Sequence, residues 1–363
     1  MRDELAEALL RRVMGWGDDD VARERPILEA LADYKYDAYE RYEPGMRFIE
    51  SLACWLAQFP EPSQRRKAFE FVREKLIFVS SPELQHLVSS VYPDFIRPAL
   101  LSRTAEDLGI RPHLVARVKG EDAFRVRRRS CLFIGLSDGA HTDILRRANP
   151  IISNEQVVAD YHGLGDRAPE LLKDLRADLA TMGIANPDGA QFTTLVLLDD
   201  FSASGISYLR EEGDKRKGKI AKIADQLTSS PDLLDSDNLD VRILLYIATD
   251  QAMKYLGERL GDLAQSIPGA WSIDRIQGLT DAQVIRKGVD PELDVLIDLA
   301  YVNEINDEHM KKGATDGRYG FADCGLPVVL SHNTPNNSIA ILWANEGRAK
   351  ALFPRVTRHK EAS

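Results

Sequence analysis

The spacing of apolar residues changes character along the chain. Over the first hundred or so residues they recur at helical intervals, and Phe48, Leu52, Trp55 and Phe59 stand at 4-3-4 steps, one continuous face of a helix over 46–59. The same periodicity predicts helices over 4–14, 27–42 and 82–91, the last closed by Pro93 and Pro98. Ser63 is placed to cap a further helix bearing Phe69, Val72, Leu76 and Val79. Tyr34, Tyr36, Tyr39 and Tyr42 are expected to pack rather than to bind.

From Arg125 onward, short unbroken apolar runs take over. Residues 131–136, 195–198 and 241–248 each read as a strand buried on both faces. A turn and a helical segment follow each: 142–148 with Thr142 as its cap, a helix starting at Tyr208-Leu209-Arg210 and running basic through 213–227, and 250–260. Another helix is expected over 170–182. Strands alternating with helices are the mark of an α/β fold, with a mostly parallel sheet and ligands at the carboxyl ends of its strands. The tail adds a strand at 326–330, the turn Ser331-His332-Asn333-Thr334-Pro335-Asn336-Asn337, and an apolar run at 339–343. The expected division is a helical subdomain over 1–105, an α/β domain with a C-terminal cap over 106–355, and a tail over 356–363.

Composition narrows the class of protein. A net charge of −10 provides no global field toward nucleic acid or anionic lipid. The helical N-terminus lacks the basic face of a winged-helix DNA reader. The four arginines Arg125, Arg127, Arg128 and Arg129 form one basic patch, expected to be a solvated face. No apolar run approaches the roughly 18 residues of a membrane span, and Met-Arg-Asp-Glu-Leu is no signal peptide. Three widely spaced cysteines argue against a disulfide frame or a zinc site. A cytoplasmic protein is expected.

The candidate chemistry lies in 195–207, Leu-Val-Leu-Leu-Asp-Asp-Phe-Ser-Ala-Ser-Gly-Ile-Ser. A buried strand delivers two vicinal carboxylates, suited to sugar hydroxyls or a divalent cation. The hydroxyl-rich turn behind them suits a phosphate, particularly if a helix starts there. An earlier strand runs in the same way into Ser137-Asp138-Gly139-Ala140. A P-loop would need Gly-Lys-Ser/Thr, a dinucleotide fold Gly-x-Gly-x-x-Gly, and a haloacid-dehalogenase phosphatase two acids one residue apart; none is present. Plain structural use of the turn is the alternative.

Residues 195–207 resemble the diphosphate-sugar signature of the type I phosphoribosyltransferases. The resemblance implies an α/β phosphoribosyltransferase-like fold over roughly 130–262. It implies that Asp199 and Asp200 take the ribose hydroxyls and that Ser202, Ala203, Ser204, Gly205, Ile206 and Ser207 cradle the 5′-phosphate. By the same resemblance Ser137, Asp138, Gly139 and Ala140 form the pyrophosphate loop, and Mg²⁺ reaches Asp199 and Asp200 indirectly, through the sugar diphosphate. Arg146, Arg147 and Arg167 are candidate cations for the departing charge. Ala203 cannot take a proton, which argues against purine salvage in its common form, and Ile206 crowds the turn.

The N-terminal helices and the tail, with Leu352-Phe353-Pro354-Arg355, are similar to a narrower bacterial group associated with conflict (anti-phage) loci, some beside retron reverse transcriptases. That implies an effector acting on a phosphoribosyl diphosphate or a nucleotide, in company with a protein or nucleic-acid partner. The alternative is an inactive nucleotide sensor or partner-binding module. His332, Asn333, Asn336 and Asn337 are candidate contacts to a base edge, or else a structural Asn/Pro turn.

Overall fold

In a computed structural model, residues 3–212, 215–300, 310, 313, 316–345 and 349–355 are described. The tail expected over 356–363 lies outside them. Strands in chain order are β1 Ile77–Val79, β2 Cys131–Gly135, β3 Val157–Val158, β4 Thr194–Ser202, β5 Arg210–Glu212, β6 Lys215–Lys217, β7 Asp240–Thr249, β8 Ala270–Leu279 and β9 Val328–Leu330. The chain divides into two compact units, Leu84–Leu279 on one hand and Met1–Glu83 with Thr280–Ser363 on the other.

The unit Leu84–Leu279 is an α/β layer structure on a five-stranded sheet of order β3-β2-β4-β7-β8. Every pairing in it is parallel. Leu195, Val196, Leu197 and Leu198 are completely buried, as a central strand covered on both faces must be. β8 at one edge was not anticipated: Ala-Trp-Ser-Ile-Asp-Arg-Ile-Gln-Gly-Leu carries too many polar positions to look like an apolar run. Helices Thr142–Ala148, Leu164–Thr181, Lys219–Thr228 and Asp250–Gly257 link successive strands. Thr142 does not cap its helix; His141 does, in a left-handed conformation.

The topology locates a crevice. From the carboxyl end of β2 the chain goes to β3 on one side, whereas from the carboxyl end of β4 it goes toward β7 on the other. The two connections part between β2 and β4, the switch point where open α/β sheets receive ligands. Register sharpens this. Gly135, the last residue of β2, pairs with Leu198, so β4 runs on through Asp199, Asp200, Phe201 and Ser202 beside the turn that follows β2.

The other unit is mainly helical, with Asp3–Met14, Asp18–Tyr34, Phe48–Leu56, Pro62–Glu74 and Pro291–Leu299. Phe48, Leu52, Trp55 and Phe59 are fully buried, as their spacing predicts. The helix expected to reach Val79 stops at Glu74, capped by Glu61 rather than Ser63, with Pro62 in its first turn. The β-branched Ile77 and Val79 lie instead in β1, paired in parallel with β9. In the unit Leu84–Leu279, Pro93 and Pro98 do not close the next helix. The chain runs from Ser81–Ser90 through a π-helical Val91–Ile96 into Arg97–Asp107, with Pro98 in a first turn, where its missing N–H leaves no gap.

The tail belongs to this N-terminal core, unlike the expected cap on the α/β domain. Phe353 is fully buried, its ring 5.1 Å from that of Tyr39, 5.6 Å from Phe78 and 6.0 Å from Phe48. Trp55 donates its indole N–H to the Ile341 carbonyl at 2.9 Å, and Ser51 its hydroxyl to the Leu352 carbonyl at 2.7 Å. Tyr36 and Tyr39 pack inside, whereas Tyr34 is 84% exposed. Truncating Phe353 to Ala opens a cavity under five aromatic rings. It is expected to cost about 3–5 kcal/mol, read by chemical denaturation followed through tryptophan fluorescence.

Candidate functional site

The two turns singled out in the sequence meet. The amide of Leu136 donates to the Leu198 carbonyl at 2.8 Å, holding the end of β2 against β4. Ser137 then donates its hydroxyl to Asp199 and lies 3.4 Å from a carboxylate oxygen of Asp200. The short 3-10 turn Asp138–Ala140 follows, and Tyr246 of β7 donates its phenol to the Ala140 carbonyl. A methyl added to Gly139 would lie 2.3 Å from Oδ2 of Asp200, so this turn crosses directly over that carboxylate.

The vicinal acids are unequal. Asp199 is completely buried. One of its oxygens accepts the Ser137 hydroxyl; the other accepts the Tyr208 hydroxyl and the Lys219 ammonium. Burial pushes its pKa above the ordinary carboxylate value, against the pull of Lys219 and with a further push from Asp200. Tyr208, also wholly buried, is held well above the ordinary phenol value by burial and then by the Asp199 charge. Asp200 is half-buried and lies on the Gly139 side. Asp199 is thus enclosed by donors of the chain, whereas Asp200 lies half-buried against the glycine turn.

The second turn is mostly inside. Ser202, Ala203, Ser204 and Gly205 are buried, Ile206 is half-buried and Ser207 is exposed. Ser204 accepts the Ile206 amide at 3.4 Å, and Thr249 donates its hydroxyl to the Ala203 carbonyl. Tyr255, on the helix after β7, donates to the Leu209 carbonyl at 3.0 Å.

The helix expected at Tyr208 does not start there. Strands β5 and β6 pair antiparallel, cross-linked by Lys217–Glu212 at 2.5 Å, with Arg210 also on Glu212 at 2.8 Å. The helix begins at Lys219, because Gly218 turns the chain back with φ +123°, where a Cβ would strike the Tyr208 carbonyl oxygen at 2.4 Å. The returning amides of Lys219 and Ile220 donate to the carbonyls of Ser207 and Tyr208 at 3.0 and 3.1 Å. Lys219 had been read only as one charge of a basic helix. The signal that could have singled it out is Gly218, a breaker inside that supposed helix.

Arg146, Arg147 and Arg167 are exposed, and Arg147 pairs with Asp143 at 3.5 Å. Within the arginine patch, Arg125, Arg127 and Arg129 are committed to Asp122, Asp107 and Asp178. His332, Asn333, Asn336 and Asn337 belong to the unit that holds the N-terminal helices. There the His332 carbonyl accepts from Arg41 at 2.7 Å, the Asn336 carbonyl from the Phe321 amide at 2.7 Å, and Asn337 donates to the Phe321 carbonyl at 3.0 Å. Among the described residues no three His, Cys, Asp or Glu side chains form a metal cluster, and no helix is long and apolar enough to cross a membrane. Cys54, Cys131 and Cys324 are free thiols.

A parallel sheet with a sugar-type diacid and a small-residue turn meeting at its switch point defines a phosphoribosyltransferase-like α/β protein. Residues 52–355 match the model of PRTase-CE, the phosphoribosyltransferase-like family associated with conflict systems and effectors, and the chain belongs to that family. No curated protein and no solved structure matches it.

The two glycines give separable expectations. Gly139→Ala should displace the Asp200 carboxylate while leaving the melting temperature within a few degrees, because the clash is with the end of a side chain. Gly218→Ala should lower it by roughly 5 °C or more, since the clash is with backbone at a positive φ. Differential scanning fluorimetry of the two variants checks both.

Proposed function

We propose that this site binds a phosphoribosyl diphosphate or a nucleotide and acts at its anomeric carbon, by transfer or cleavage, as an effector of a bacterial anti-phage system. The observation that supports the reading is the meeting of the Ser137 turn with the Asp199–Asp200 pair at the β2/β4 switch point. In this reading Asp200 takes the ribose hydroxyls, the 202–207 turn takes the 5′-phosphate, and the turn of Ser137, Asp138, Gly139 and Ala140 faces the diphosphate.

Mg²⁺ fits as an ion carried in by the diphosphate. The described residues provide no cage of their own, and Mg²⁺ is commonly held by one or two carboxylates plus substrate phosphates, keeping several waters. When bound, it offsets the negative charge of a departing pyrophosphate. The chain itself contributes placement: a carboxylate on the sugar and a turn on each phosphate group hold the anomeric carbon in line with its attacker.

A second reading, a nucleotide sensor or partner-binding module without turnover, is favoured by the burial of Ser202, Ala203, Ser204 and Gly205 and by Ala203, which offers no proton acceptor. Incubation with phosphoribosyl diphosphate and a nucleotide panel separates the two. Pyrophosphate or free base marks the enzyme, and saturable binding without product marks the sensor.

Binding itself is tested by calorimetry with phosphoribosyl diphosphate and Mg²⁺. Asp200→Asn removes a charged hydrogen-bond acceptor and is expected to weaken binding roughly 10- to 100-fold, with the melting temperature nearly unchanged. Loss of the fold in that variant would make Asp200 a structural residue. Chelating Mg²⁺ should weaken binding to the wild-type protein, and no response to the ion would remove it from the site.

A further inference from the structure

The arrangement around Asp199 points to a role for Lys219. We propose that Lys219 is a positioning residue of this site: it neutralises Asp199, whose carboxylate then ties the two ligand turns together through Ser137 and Tyr208, and it touches no ligand itself. The inference rests on the reading above for what the turns bind, but not for the coupling between the side chains.

Asp199 is bonded from both turns. Ser137 opens the first turn and Tyr208 closes the second, and both hydroxyls end on the same carboxylate. With no exposed surface, that carboxylate lacks water to balance its charge. Lys219 supplies the balance, with its ammonium on Asp199 and 5.0 Å from the centre of the Tyr208 ring. Its side chain is 24% exposed, while that of the acid has no exposed surface. Its backbone is fixed as well, through the amide bond to the Ser207 carbonyl at 3.0 Å. The antiparallel pair β5–β6 and the turn at Gly218 precede Lys219 and return the chain to Ser207.

A buried pair of this kind has a specific mutational signature. Removing one partner strands the other charge, whereas replacing both with neutral groups of similar shape is close to neutral. The experiment compares Lys219→Met, Lys219→Arg, Asp199→Asn and the Asp199→Asn/Lys219→Met double variant in the full chain. Melting temperature and affinity for phosphoribosyl diphosphate with Mg²⁺ are read for each.

Lys219→Met is expected to melt roughly 5–10 °C lower and to bind at least about tenfold more weakly. Lys219→Arg, which keeps the charge, should stay within about threefold of wild type in affinity. The double variant should recover most of both losses, because the stranded carboxylate is gone. A double variant that melts like wild type yet binds as weakly as Lys219→Met would place Lys219 on the ligand and overturn the proposal. So would a Lys219→Met protein that melts and binds like wild type. If wild-type protein binds no phosphoribosyl diphosphate, the ligand reading fails by itself. The melts then decide the coupling alone: recovery in the double variant supports it, and additive losses sink it.

Discussion

The structure of this site depends on a carboxylate removed from water. Taking an ionised acid out of solvent costs several kcal/mol unless partners replace the water, and at Asp199 they come from three separate places in the chain: Ser137 after β2, Tyr208 after β4, and Lys219 at the start of a helix. Each donor fixes the segment that carries it. The turn after β2, the turn after β4 and the entry to the following helix are therefore set by one acid. That acid has no exposed surface, and each of its oxygens already accepts a bond from within the chain. Two carboxylates adjacent in sequence thus have different surroundings: Asp199 is enclosed by Ser137, Tyr208 and Lys219, and Asp200 lies half-buried against Gly139.

The strands were legible because a parallel sheet covered on both faces needs unbroken apolar runs. Residues 195–198 and 131–136 could hardly have been anything else. β8 was not legible for the complementary reason: an edge strand is covered less, and Asp274, Arg275 and Gln277 hide its alternation. The meeting of the two turns was foreseeable from their order along the chain, but the inequality of the acids was not. Nothing in Asp-Asp tells which carboxylate will be wrapped by Tyr208 and Lys219, since those contacts come from residues 9 and 20 positions away. The helix at Tyr208 was misread because Lys215, Arg216, Lys217 and Lys219 look like one basic face, when the first three are in a hairpin strand and Gly218 separates them from the fourth.

The division of the chain was also obscure in the sequence, which suggested a cut near residue 105 with the tail on the α/β side. Two interactions assign the tail to the N-terminal helices instead. β9 supplies the parallel partner of β1, whose three residues could not stand alone as a strand, and Phe353 fills the space between Tyr36, Tyr39, Phe48 and Phe78. The unit that begins the chain is therefore completed by the residues near its end. Thr334 and Asn337 are spent on that closure: Thr334 is within 2.9 Å of the Tyr39 hydroxyl, and Asn337 is bonded to Phe321 and Cys324. A polar, turn-forming tail that looks like a recognition motif can owe its composition to such closure, because an irregular segment running through a core must satisfy its own backbone.

The hairpin of β5 and β6 changes how an anion is attracted to the second turn. A strand that runs straight into a helix offers its turn the unpaired N–H groups and the positive end of the helix dipole. Here the helix starts only after the hairpin, and the amides of Lys219 and Ile220 are already committed to Ser207 and Tyr208. Those bonds hold the turn in shape but withdraw two of the donors that a helix start would otherwise present. Attraction of an anion there must then come from the turn's own backbone and hydroxyls, since the charge of Lys219 is directed at Asp199.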